Sequence, residues 1–546
     1  MTEILPVVLS AVTQPALGQV VQRVGWIACL DTREVDRWLQ SCCLSGCHPW
    51  HGWREVRLRF ILPSLATDRM KRKQNFMAAK LRAHRLIEID WPEFGSGPCP
   101  PRPSTHELEA RIDNLRARME ELKLTHIVVY GDREHFANLT YLTGFDPRFE
   151  EALLVIRRAS TPLILVGNEC VSYLGVSSLH TSGRMRDERF QSFSLLSQPR
   201  DQSRTLREIF ADESIGPMAR VGCVGWKYFS ESEHPNAAHA LDIPAYLADT
   251  LRQLAGSENV VNVTDLLMHP GHGLRAQCTP IEVAYFEYAN AQAAESAKRM
   301  IFALQEGVTD HSVVECGRLN GDPLSCHVTF ATGSNSKLGL SGPSGQLIRR
   351  GQTLSFNVAY WGSNVCRAGW IAHSAADLPL EAADYVSSFA GRYFEAMGEW
   401  FALMKLGTPG EKFYNLIQER LPFAQFGIYL NPGHLIHLDE WLSSPFYAGS
   451  QISVASGMYI QSDVIPQSSR YFSTRMEDGL VVAHRELRGT LKEFAPECYE
   501  RCQKRRWFMS NVLGIELPEE VLPLSNTAGI VPPFFLKPNI VLALEP

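Results

Sequence analysis

The chain has 546 residues, 45% of them hydrophobic and 21% charged, which is globular composition and excludes wholesale disorder and fibrous repeats. The formal net charge of -6 leaves no global basic field for nucleic acid or an acidic membrane surface. No run of about 18 apolar residues is present, so no spanning helix is expected.

Met1–Val20 has only Glu3 ahead of the apolar stretch Ile4–Leu9, without the basic start of a secretory leader. The 13 cysteines are scattered rather than framed, as in reduced thiols, and a cytoplasmic location is expected. Cys42, Cys43, Cys47, His48 and His51 crowd together, but no second C-x-x-C pair completes a zinc site, and a chance cluster is the simpler reading. Arg69 to Arg85 is a basic run that reads as a solvated helix face. The breaker-rich stretch 95–103 marks a first boundary.

Ser104–Glu107 has the S-x-x-E pattern of a helix start, and Leu108, Ile112, Leu115, Met119 and Leu122 form one apolar stripe after it. Thr125–Tyr130 reads as a strand, Leu153–Ile156 and Leu163–Val166 as a hairpin, and Val221–Val224 and Asn259–Val263 as further strands. Residues 104–270 thus read as an α/β domain with a mixed sheet. A long helix then starts at Pro280 and runs to about Glu306.

Three stretches carry a family resemblance. Asn138-Leu-Thr-Tyr-Leu-Thr-Gly-Phe145, then Arg275 with Thr279-Pro-Ile-Glu282, then Asn431-Pro-Gly-His434 with Gly457-Met458 and Met476-Glu-Asp478 follow one another in order. They resemble segments of the creatinase, aminopeptidase P and prolidase family. The resemblance covers about 104–490 and implies an α+β architecture: an extension over 1–103, a creatinase-like domain over 104–270, and a pita-bread domain over 271–546. It also implies a homodimer.

In the metallopeptidases of that family two metal ions are held by two aspartates, a histidine and two glutamates. Close cations need several anionic oxygens to limit their repulsion and to activate a water between them. The resemblance puts the first aspartate at Asn357, an amide without charge, and the second, eleven residues on, at Ala368. The histidine is present as His434, the first glutamate becomes Asp463 after 29 residues, and the second is Glu477 after 14 more. Two further family histidines fall at Leu340 and Trp441.

His434, Asp463 and Glu477 are therefore the expected core, with three readings. In the first they hold one divalent ion (Zn, Mn or Fe) in a hydrolase or lyase acting on a small amide, amidine or short peptide. In the second the site is metal-free, with His434 as acid or base beside a carboxylate. In the third the chain is a non-catalytic pita-bread module that binds a peptide or partner. Arg367, beside the lost aspartate, is expected either to bring a cation into the cleft or to pair with Glu477 or Asp463. Glu440 stands next to the Trp441 position and is a candidate to face substrate. His437 lies three residues from His434, which on an extended segment points it to the opposite face, a structural role. Cys326 with His327 is a weak thiol candidate, because neighbours on a strand face opposite ways.

Overall fold

Strand and helix signals alternate along the chain, and the computed structural model, which describes residues 82–546, turns them into four sheets. The cysteine and histidine cluster at 42–51 and most of the basic run lie outside the described residues.

The S-x-x-E start becomes helix Thr105–Glu121, in which the Glu107 amide donates to Ser104 Oγ. The stripe Leu108, Ile112, Leu115 and Met119 is buried as expected. Leu122, at the end of the pattern, is the helix C-cap and is exposed, because the helix stops before that position can turn inward. The β-branched run becomes β2 (His126–Gly131), buried along its whole length as the centre of a covered sheet must be. It pairs antiparallel with β3 (Ala152–Arg157), which pairs antiparallel with β4 (Leu163–Val166), the expected hairpin. β5 (Arg186–Arg189), β6 (Val221–Val224) and β7 (Val260–Asn262) complete a mixed six-stranded sheet in the order β5-β4-β3-β2-β6-β7.

Thr279 and Glu282 form a complete capping box with Pro280 at the first turn, and the helix they start runs over Pro280–Phe302, one turn short of the expected end. It packs against two four-stranded antiparallel sheets. One has the order β13-β10-β9-β8, built from Arg475–Glu477, Val365–Ile371, Gln352–Val358 and Thr329–Thr332. The other has the order β11-β12-β14-β15, built from His434–Leu435, Tyr459–Gln461, Gly479–Val482 and Val521–Pro523. A further two-stranded ladder joins β1 (His84–Glu88) to β16 (Ile540–Leu544). The architecture is α+β.

The chain crosses from one sheet to the other at Asp478, between β13 and β14. Asp478 accepts from Arg367 Nη2 at 2.7 Å, from Ser525 Oγ at 2.6 Å and from Thr527 Oγ1 at 2.9 Å, all buried. That crossing brings residues of both sheets to one place. Among the described residues no helix is long and apolar enough to cross a membrane.

Candidate active site

Register decides which side chains meet. Directly opposed residues of antiparallel strands point to the same face. Asn357 lies opposite Cys366, and Cys366 opposite Glu477, so these three share a face of the first sheet. Two residues along, Ala368 lies opposite Arg475 on that same face. From the second sheet, His434 pairs with Gln461, and Asp463 follows just beyond β12. Gly433, at φ 105°, makes the turn into His434; a Cβ there would meet Gln461 O at 2.9 Å and Trp400 Cζ2 at 3.0 Å, so only glycine fits.

His434 is fully buried. Its Nδ1 lies 3.1 Å from the Leu435 carbonyl oxygen, which can only accept, so Nδ1 carries the hydrogen and Nε2 is left with its lone pair. Nε2 is buried and, among the described residues, without a hydrogen-bond partner, 3.6 Å from Glu440 Oε1 and 3.8 Å from Asp463 Oδ2. One ligand atom each of His434, Glu440 and Glu477 lie within 4.8 Å of one another. Asp463 Oδ1 is also buried and has no partner among the described residues. The Trp441 ring stacks on the imidazole, with centroids 4.0 Å apart and planes at 20°.

Two amides organise the carboxylates. Asn364 Nδ2 donates to Glu477 Oε1 at 2.7 Å and to Glu440 Oε1 at 3.2 Å. Asn357 Nδ2 donates to Asn364 Oδ1 at 3.2 Å, and its own Oδ1 accepts from the Thr329 amide at 2.9 Å and from the Thr329 hydroxyl. Asn357 is thus spent on hydrogen bonds: the position that the resemblance gives to a metal-bridging acid orients Asn364 instead.

Burial pushes the Glu440 carboxyl up to about 7, with Asp439 adding repulsion. Burial and then the neighbouring Glu440 push Asp463 up to about 6, against the pull of His434 and Arg475. Burial, Asp463 and Glu440 drive Glu477 well above the carboxylate range, and burial lowers His434. Three carboxyls this close in a dry cleft must either keep protons or share a cation.

The donors fit a cation. Two ligand atoms about 2.1 Å from a tetrahedral ion lie about 3.4 Å apart. The separations of 3.6 and 3.8 Å around Nε2 are close to that, and too long for hydrogen bonds. One imidazole with two or three carboxylates suits zinc, manganese or ferrous iron.

The structure brings His434, Asp463, Glu477 and Glu440 together; it does not bring Arg367. Arg367 points to the other face of its strand, where it pairs with Asp478 at 2.7 Å and donates to the Ile530, Thr527 and Cys366 carbonyls. Neighbouring positions on a strand alternate faces, and Cys366, not Arg367, faces Glu477. The pairing expected with Glu477 or Asp463 is made with Asp478. His437 turns away from His434 and lies 3.2 Å from Glu282 Oε1. Cys278, Glu282 and His437 form a second close trio. Glu282 is already saturated there, by Arg111 at 3.0 Å, His437, and the Thr279 amide at 2.9 Å, so this trio is an ion and hydrogen-bond network. Leu340 is 78% exposed on a loop and contributes no side chain to the cleft. Burial pushes the Cys326 thiol up to about 11, and His327 faces the Leu340 carbonyl, so no base activates the thiol. Sequence reasoning missed Asn364 and Arg475. Hairpin register was the available signal, since Asn364, Cys366 and Ala368 alternate onto one face.

No family model matches the sequence, and no curated protein matches it. Solved structures do. The chain is similar to a dipeptidase of Mycobacterium ulcerans, at TM-score 0.52 and 17% identity over 70% of this chain and 95% of that one. It is similar to the prolidase of Pyrococcus horikoshii OT3, at 0.51 and 15% over 68% and 95%. It is similar to an Xaa-Pro dipeptidase of Bacillus anthracis, at 0.51 and 13% over 69% and 96%. The chain has the pita-bread fold of the creatinase, aminopeptidase P and prolidase structures, at identities that speak to fold alone.

Proposed function

We propose that the protein is a hydrolase of a small amide or related C–N substrate, working with one divalent cation held by His434, Asp463 and Glu477. The observation that carries this reading is the buried Nε2 of His434, which has no hydrogen-bond partner among the described residues and faces acidic oxygens at 3.6 and 3.8 Å. An orphaned lone pair in a dry pocket is costly, and a cation relieves it together with the crowding of the acids.

A bound ion would supply Lewis acidity and an activated water. The protein's own groups do the rest. Glu440 is the group of the four most open to solvent, 29% exposed, and so the one an incoming water or substrate can reach. It takes a proton from the attacking water and returns it to the leaving nitrogen. Asn364 holds Glu440 and Glu477 at a fixed spacing through its two donated hydrogen bonds. Trp441 closes one face of the imidazole and keeps water from it. With Asn357 neutral and Ala368 apolar, a second ion lacks its ligands, so two-metal peptidase chemistry does not fit this site.

The test is metal analysis of the purified chain and zinc titration of wild type and His434→Ala, with a screen of amide and short-peptide hydrolysis. One ion per wild-type chain and none in the variant is expected. No metal at any stoichiometry, with equal turnover in both proteins, would end this reading and leave the binding-module alternative.

A further inference from the structure

The sequence placed a cation near the lost acid at 368, and the structure has one there, but from another strand. Arg475 lies directly opposite Ala368, on the face that carries Glu477. Its Nη1 donates to Cys366 Sγ at 3.4 Å, and that is its only hydrogen bond among the described residues. Its Nε is buried and, among the described residues, without an acceptor. No described carboxylate reaches it at ion-pairing distance; Glu477, Asp463 and the Cys366 thiol act on it through space. Arg367, one strand position away from Ala368, has every donor nitrogen engaged, so the contrast is between a satisfied arginine and an unsatisfied one.

A guanidinium offers Nε–H and Nη2–H as a planar fork that matches the two oxygens of a carboxylate or of a tetrahedral acid. Among the described residues this fork has no partner, and the residue facing it is reduced to a methyl group. We propose that Arg475 is the anion-binding residue of the site, and that an oxyanion group of carboxylate size lies over Ala368 and accepts from this fork. This rests on the hydrolase reading only for the identity of the anion, which is either a carboxylate carried by the substrate or the oxygen that becomes negative as the carbonyl turns tetrahedral. The site then uses one cation and one arginine where the resemblance implies two ions.

The experiment uses the full chain at pH 6, after chelation and again after zinc loading, titrated by calorimetry with acetate and with methylphosphonate. Saturable binding of one anion per chain is expected in the chelated protein, and Arg475→Gln should weaken it about ten-fold or more. Arg475→Lys should keep part of it. Because Arg475→Gln can also disturb folding, Ala368→Asp is the second variant: its carboxylate takes the fork internally, so the protein stays folded and anion binding is lost. Tighter acetate binding assigns the fork to a substrate carboxylate, and tighter phosphonate binding assigns it to the reacting oxygen. Binding that is unchanged in Arg475→Gln or Ala368→Asp, that needs zinc, or that is absent from wild type overturns the proposal. Zinc binding without an Arg475-dependent anion removes this inference alone; an Arg475-dependent anion without zinc removes the cation reading alone.

Discussion

Arg367→Met separates a structural arginine from a site arginine. The wild-type guanidinium meets Asp478 at 2.7 Å and donates to the Ile530 and Cys366 carbonyls at 2.8 Å and to Thr527 O at 2.7 Å. Methionine fills much of the volume but leaves a buried carboxylate without its counter-charge and strands four carbonyls, the fourth being Glu477 O at 3.3 Å. Breaking one side of a buried pair costs about 3–5 kcal/mol. In urea unfolding followed by tryptophan fluorescence, that is a midpoint about 1–2 M lower for a slope of about 2.5–3 kcal/mol/M. Arg367→Lys keeps the charge and loses the fork, so its midpoint should fall between the two. Both variants, while folded, should bind zinc like wild type, because the side chain sits on the far face of the strand from Glu477. A midpoint within about 0.3 M of wild type, a change of under about 1 kcal/mol, together with lost zinc binding would refute this assignment and return Arg367 to the cleft.

Glu440→Gln in metal-free protein should be stabilising at pH 8 and neutral at pH 4. The Glu440 carboxyl is held up to about 7 by burial, so its folded form favours the proton, and the stability it contributes below its ordinary value near 4.5 is lost as pH rises towards 7. Denaturation midpoints of wild type and variant across that window check this, and a difference that grows towards acid would contradict it. Glu477→Gln should weaken zinc at least ten-fold in calorimetry, since it removes a ligand and leaves Asn364 donating to a neutral oxygen. Cys326, with its thiol pushed up to about 11, should react with iodoacetamide at pH 7.5 no faster than a free thiol; selective labelling read by mass spectrometry would reopen a nucleophilic role.

Much of this was legible in the residues. Local signals gave the start of the helix at Pro280, with Pro280 in the first turn and Glu282 nearby, though its end falls at Phe302 rather than near Glu306, and gave the β3–β4 hairpin, because its apolar runs flank a turn. The family resemblance pointed to His434, Asp463 and Glu477; the structure sets Asp463 3.8 Å from His434 and places Glu477 in a close trio with His434 and Glu440. Arg367 and Arg475 were not separable that way. Which of them faces the cleft depends on strand phase: Cys366, and not its neighbour, lies opposite Glu477, and that pairing joins residues 111 positions apart. Asn364 stayed hidden for the same reason, since an asparagine in a hairpin reads as turn chemistry until its cross-strand neighbours are known.

The carboxylate of Glu282 has a further consequence. It caps its own helix through Thr279, receives Arg111 from helix Thr105–Glu121 at 3.0 Å, and holds His437, which lies midway in sequence between His434 and Glu440. Burial opposes its charge, yet Arg111 and His437 keep it ionised with a pKa of about 2. One acid thus moors the segment that carries His434 and Glu440 to a helix start and to the preceding sheet-bearing half of the chain. Damage at Arg111, which touches neither His434 nor Glu440, would slacken that mooring and let the two drift apart.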